Sequence, residues 1–232
     1  MDNVIRMPAL FAGHGTFDQT SAKSAAGRGW QDVAALFPRP RAVVCVSAQW
    51  RTQGICISIA PEHESPHVLQ TVSARVARRI NGLLDLPGAR LDSSHALNED
   101  VMALVQALYP HASIPVVQVS LDTALSPLEH AALGAWLRPL REQGILIVGI
   151  GNLAAPMRGA GGAQLRELVG HGNIAQLADM PSLDQDDMAA FLPLLYTLAV
   201  RNTEDSVQLF DDVHDGSSCT SVWLRPDPLP RC

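Results

Sequence analysis

The chain is poor in aromatic residues and in charge: Phe, Trp and Tyr make up 5% of its 232 residues, and Asp, Glu, Lys and Arg 17%. Its net charge of −6 and pI near 5.7 leave no basic groove. Nucleic-acid binding needs clustered Lys and Arg to neutralise phosphates, so that partner class is excluded. The one arginine group, Arg75, Arg78 and Arg79, has the spacing of a solvated helix face. No apolar run reaches 18 residues, which argues against a membrane span. The N-terminus lacks the basic start and apolar centre of a signal peptide, so a cytoplasmic protein is the expectation. Cys45, Cys56, Cys219 and Cys232 form no Cys-x-x-Cys pair, and the cysteines suggest no zinc site. Cys45 and Cys56 sit inside apolar runs and read as small buried hydrophobes. Gly149-Ile-Gly151 lacks the third glycine of a phosphate loop. Ser217-Ser-Cys-Thr220 has no base at a readable spacing, so a Ser or Cys nucleophile is unsupported.

What is present is apolar sequence cut into short runs, with 47% of the chain hydrophobic. Residues 8–12, 42–47, 114–121 and 145–150 are mainly apolar stretches, the last three rich in β-branched residues, and suit buried strands, 42–47 with the pattern of a strand covered on both faces. Residues 54–60 alternate (Ile55, Ile57, Ile59) and suit a strand nearer an edge, and 89–93 is a short candidate strand. Residues 208–210 and 218–224 are closing strands. Helices are expected over 24–37, 67–84, 98–108, 126–142, 163–169 and 187–200, the last tolerating Pro193 by its closeness to the helix start. Asn98 suits a helix cap before Glu99 and Asp100, and Ser126-Pro127 opens the next helix. The alternation gives one α/β domain over residues 1–232, with a central mostly parallel or mixed sheet flanked by helices.

The polar residues that follow the strands are the candidates for function, since ligands collect at strand ends in open α/β sheets. His14 stands between two glycines after the first strand. Gln49-Trp50 follows the second, and Asn152 the fourth. His214 precedes Asp215-Gly216 near the last strand. His63 and His67, and His95 and Glu99, have i, i+4 spacing, but Pro66 argues against a helical pair for the first. His111, His130 and His171 read as surface or loop residues.

These residues lie in motifs that resemble a family. Met7-Pro-Ala-Leu-Phe-Ala-Gly-His-Gly15 and Pro38-Arg-Pro-Arg-Ala-Val-Val-Cys-Val-Ser-Ala-Gln-Trp50 are similar to the opening of the LigB-type, class III extradiol ring-cleavage dioxygenases, nearest the DOPA dioxygenase branch. The likeness continues through Leu108-Tyr-Pro-His-Ala-Ser-Ile-Pro-Val-Val-Gln-Val-Ser-Leu-Asp122, Gly144-Ile-Leu-Ile-Val-Gly-Ile-Gly-Asn152 and Phe191-Leu-Pro-Leu-Leu-Tyr196. The resemblance implies a LigB-like fold and a catechol-opening enzyme that holds substrate and dioxygen on one non-haem metal, iron or zinc. In that branch the ligands are histidines of Gly-His-Gly, of Ser-Ala-His-Trp, three residues past Gly-Asn, and of Pro-Glu-His before the Leu-Pro-Leu helix. A further histidine, in Asp-His-Gly, handles protons.

Of that set only His14 matches. The other positions fall on Gln49, Ala155, Ala190 and, for the proton-handling histidine, Glu99. The loops after Ala60 and Ala155 also read as shorter than the family's. One imidazole does not hold iron or zinc, so no metal cofactor is expected. Two readings follow. In one, ring cleavage is lost or altered and the pocket serves a small aromatic or related metabolite, with His14 and Glu99 as catalytic groups and Gln49, Trp50, Asn152 and His214 as binding groups. In the other, the chain is a non-catalytic pseudoenzyme or the partner subunit of an active dioxygenase, within a homo-oligomer or heteromer.

Overall fold

The computed structural model describes residues 6–13, 30–32, 34–59, 74–84, 89–110, 113–154, 161–180, 184–214 and 217–226, without the side chains of 83, 84, 212–214 and 217–219. The four continuous apolar runs become adjacent parallel strands because only a central position buries both faces. These are β1 (Ala9–Gly13), β2 (Ala42–Thr52), β5 (Val116–Asp122) and β6 (Ile145–Gly151). With β3 (Cys56–Ser58), β4 (Arg90–Asp92), β7 (Asp205–His214) and β8 (Ser217–Pro226) they form one eight-stranded sheet, ordered β4-β3-β5-β2-β6-β1-β8-β7. Strands β5, β2, β6 and β1 run parallel, whereas β3 pairs antiparallel with β5 and the β7–β8 hairpin closes antiparallel on β1. The sheet is therefore mixed with a parallel centre, the α/β architecture expected. Strand β3 is one position in from the edge, which the short, exposed β4 occupies.

Helices cover both faces. One core layer joins Phe11, Val44, Val46, Val117 and Ile147 to the Pro127–Trp136 and Gln185–Ala199 helices. The other joins Leu10, Val43, Cys45 and Val148 to the Glu99–Leu108 helix and to Trp30 and Ala34. The cysteines behave as read: Cys45 and Cys56 are free and fully buried, and burial pushes the Cys45 thiol upward. Among the described residues no helix is long and apolar enough to cross a membrane.

Several boundaries differ from expectation for local reasons. Strand β2 runs past Ser47 to Thr52. The helix expected over 126–142 stops at Trp136 and restarts at Pro139, because proline cannot supply the next helical N–H. Ser126 and Glu129 close a reciprocal capping box at its start, and Gly144 ends the segment at φ +79°. A short helix over Ile174–Ala178, capped by Asn173, has no counterpart in the expectations. Pro193 is the ninth residue of the Gln185–Ala199 helix, well inside it rather than near its start.

Candidate functional site

Strands β5, β2, β6 and β1 send their C-terminal ends to the same side, and β7, parallel in direction to β1, ends there too. Gly13 stands opposite Gly151, and Ser47 opposite Ile150, so β1, β2 and β6 open into one mouth. The approach of the Gln185–Ala199 helix shapes one wall. A Cβ at Gly151 would lie 2.0 Å from the Ala190 carbonyl oxygen, so only glycine admits this contact. That carbonyl, one turn ahead of Pro193, accepts the Asn152 N–H at 3.0 Å.

Strand β2 is irregular here. Between Val46 and Arg51 it advances five residues while β5 advances two, from Val119 to Leu121. This bulge lifts Ser47–Trp50 out of the ladder with β5, while Ser47 stays paired with β6, and bulges of this kind re-aim side chains beside functional sites. Gln49 is exposed, and its N–H donates to Ser47 Oγ at 3.1 Å. Ser47 in turn donates to Asp100 Oδ2 at 2.6 Å, and Asp100 Oδ1 accepts the Val101 N–H at 2.8 Å. Asp100 is fully buried while its neighbour Glu99 is exposed, so the carboxylate held against β2 is Asp100.

Trp50 is buried, and its ring lies flat on His95, with centroids 3.7 Å apart and planes 3° from parallel. Behind His95 runs a line of hydrogen bonds. Its Nε2 meets Asn98 Oδ1 at 3.1 Å, Gln118 Nε2 donates to the same oxygen, and Gln118 Oε1 accepts the Asn98 N–H at 3.1 Å. Asn98 does head the Glu99 helix, but its side chain makes no cap bond, because His95 and Gln118 engage it. With Asn98 Oδ1 an acceptor, His95 Nε2 carries a hydrogen, which leaves Nδ1 as the ring's other hydrogen-bonding atom. His95 pairs with Asn98 rather than with Glu99, its i+4 neighbour.

The other sequence candidates divide. Asn152 lies at the mouth, but its Oδ1 is engaged by the Ala154 N–H at 2.7 Å. His214 ends β7 opposite Ser217 on the mouth side of the sheet, and its side chain is outside the description. His14, His63, His67, His111 and Ala155 lie outside the described residues. His171 is exposed at a helix end. His130, read as a surface residue, is fully buried between Tyr196 and the Asp122 carbonyl. Sequence reasoning gave Asp100, Asn98 and Gln118 no site role and left the His95–Trp50 stack unseen, since a helix-start Asn-Glu-Asp is commonplace and Gln118 hides in an apolar strand.

Metal binding can be judged on the donors described. Among the described residues no three His, Cys, Asp or Glu side chains come together as a metal requires. Among the described residues the mouth offers the amides of Gln49, Asn98, Gln118 and Asn152, the Ser47 hydroxyl, a carboxylate already engaged and one imidazole, His95. These described groups by themselves do not make up an iron or zinc ligand set, which takes several imidazole, thiolate or free carboxylate donors.

No family model matches the chain. The 4,5-DOPA dioxygenase extradiol of Escherichia coli K12 is 31% identical over 170 residues, covering 66% of this chain and 62% of the relative. The 4,5-DOPA dioxygenase extradiol of Beta vulgaris is 26% identical over 170 residues, covering 65% and 63%. Dioxygenase tasH of Hapsidospora irregularis is 30% identical over 145 residues, covering 51% and 43%. The chain thus spans less than two thirds of the length of these curated relatives. The crystal structure of the uncharacterized protein JW3007 from Escherichia coli K12 superposes with a TM-score of 0.76 at 27% identity, covering 94% of this chain and all of that one. By sequence and fold together, the chain belongs to the class III extradiol dioxygenase family, in its DOPA dioxygenase-like branch.

Proposed function

We propose that this chain is a divergent member of the family that binds a small aromatic metabolite at the sheet mouth and has lost metal-dependent ring opening. The observation that carries the reading is the Trp50–His95 stack, held by Asn98 and Gln118 beside Gln49, where the resemblance calls for a metal-binding histidine. An imidazole fixed by part-buried hydrogen bonds and stacked on a buried indole offers a flat, preorganised edge to an aromatic ligand. His95 Nδ1 is the acceptor for a ligand hydroxyl, and the Gln49 amide is the neighbouring donor and acceptor. His14 and Glu99 remain the proton-handling groups of the proposal, and Asn152 and His214 its outer polar contacts.

The test combines metal analysis with binding. Protein purified without chelator should hold far less than one iron or zinc per chain and should leave catechol uncleaved. Catechol should nonetheless saturate a tryptophan fluorescence change, and Trp50→Ala should weaken that binding by about tenfold, the upper end of a lost aromatic contact. One tightly bound iron per chain together with ring cleavage would overturn the loss of chemistry. Absence of both metal and ligand binding would point instead to a non-catalytic scaffold or partner subunit.

A further inference from the structure

On the face of the sheet opposite the Glu99 helix, the Pro127–Trp136 helix leaves a cleft of about 280 Å³ between itself and the β3–β5 side of the sheet. Its wall is apolar, formed by Ile55, Leu125 and Leu133, and Trp136 stands over it with 54% of its surface exposed. Two carboxylates line the same space, Asp122 from the end of β5 and Glu129 from the first helical turn. Each has one oxygen engaged locally. Asp122 Oδ1 accepts the Ala124 N–H at 3.0 Å, and Glu129 Oε2 accepts the Ser126 N–H at 2.7 Å and its hydroxyl at 2.6 Å. The second oxygen of each has no hydrogen-bond partner among the described residues. Among the described residues no lysine or arginine lines the cleft, and the adjacent His130 is held toward its neutral form by burial. The cleft also lies apart from the Trp50–His95 site. Ile55 and Leu133 belong to the core layer of the Gln185 helix, whereas the Glu99 helix packs in the opposite layer.

An apolar wall, an exposed indole face and two half-free carboxylates together select one ligand chemistry. We propose that the cleft binds a small alkylammonium ion. The ammonium hydrogens bond the free oxygens of Asp122 and Glu129, Trp136 offers its negative ring face, and the alkyl chain covers Leu125 and Leu133. The volume suits a chain of about six carbons, at the small end of ligand pockets.

The experiment uses n-hexylammonium as probe, with hexan-1-ol and hexanoate as neutral and anionic matches, read by tryptophan fluorescence and amide chemical shifts. Hexylammonium should bind saturably and move resonances of residues 122–136, while hexanol and hexanoate should not saturate at the same concentrations. Glu129→Gln and Asp122→Asn keep the acceptor oxygens that cap the helix and turn, so both variants should fold. Each should weaken binding by about threefold, the scale of one exposed ion pair, and Trp136→Phe should remove most of the fluorescence response. Equal binding of hexanol, or unchanged affinity in both carboxylate variants, would overturn the proposal. So would a second copy of the chain seated on the cleft, seen as concentration-dependent sedimentation that Trp136→Ala abolishes. These outcomes are independent of whether the mouth binds catechol.

Discussion

His130 sits in the first turns of a helix that begins Pro-Leu-Glu-His, yet it is fully buried. Its Nε2 lies 3.0 Å from the Asp122 carbonyl, which can only accept, so Nε2 carries the hydrogen and Nδ1 accepts from Tyr196 Oη at 3.1 Å. Burial pushes the His130 pKa below its ordinary value, outweighing the pull of Asp122 and Glu129 in the other direction. The unfolded chain then binds a proton near pH 6.5 that the native chain refuses. Stability from this residue is complete above that pH and falls as pH drops below it. Urea midpoints should therefore decline between pH 7.5 and pH 5.5, and His130→Gln should flatten that part of the profile. An unchanged slope in the variant would show that His130 is not the group responsible. Arg141 is the second hidden ionic residue. Its fully buried guanidinium donates to the carbonyls of Met7 (2.7 Å) and Val200 (2.8 Å) and to the buried carboxylate of Asp205. Arg141→Met leaves Asp205 short of its principal partner and should cost about 3–5 kcal/mol in chemical denaturation. Arg141→Lys should not restore it, because one ammonium cannot span two carbonyls and a carboxylate.

At the scale of elements, the mouth depends on how closely the Gln185–Ala199 helix meets β6. Glycines 149 and 151 make room for it, the first against Pro193 O at 2.3 Å and the second against Ala190 O at 2.0 Å from an imagined Cβ. Gly151→Ala must push the helix off the strand end, breaking the Asn152–Ala190 hydrogen bond. A loss of about 1–3 kcal/mol is expected from overpacking, together with weaker catechol binding. Gly82, inside the Ala74–Leu84 helix, is the matched control, since none of the described residues lies within 4 Å of its Cβ position. Gly82→Ala should stabilise by about 0.5–1 kcal/mol through helix propensity alone. Thermal melts of the two variants moving in opposite directions would separate close approach from a general intolerance of alanine.

For the whole molecule, the sheet was legible because its central strands are unbroken apolar runs and its outer pieces are not. The parallel centre follows from that contrast, whereas the strand order and the run of β2 on to Thr52 do not. The site was half legible. Gln49, Trp50 and Asn152 were found at the mouth, because strand ends followed by polar residues carry a signal. The β2 bulge, the buried Asp100 and the inward turn of His130 carry none, since each depends on packing between segments far apart in sequence. The same long-range packing supports the last prediction. Gly13 pairs with Gly151, Ala190 lies against Gly151, and Gln49 sits on the neighbouring strand end, so the scaffold keeps Gln49 and Ala190, two of the positions that the resemblance assigns to metal ligands, at the same mouth. If the ring-opening site was lost by substitution rather than by collapse, returning imidazoles should return metal affinity. The double variant Gln49→His, Ala190→His, with His14 unchanged, should bind zinc at least about tenfold more tightly than the parent in competition with a chromophoric chelator. His14→Ala in that background should reverse the gain. A double variant that folds yet binds zinc no better than the parent would mean that the mouth no longer has the geometry of a metal site, whatever side chains it carries.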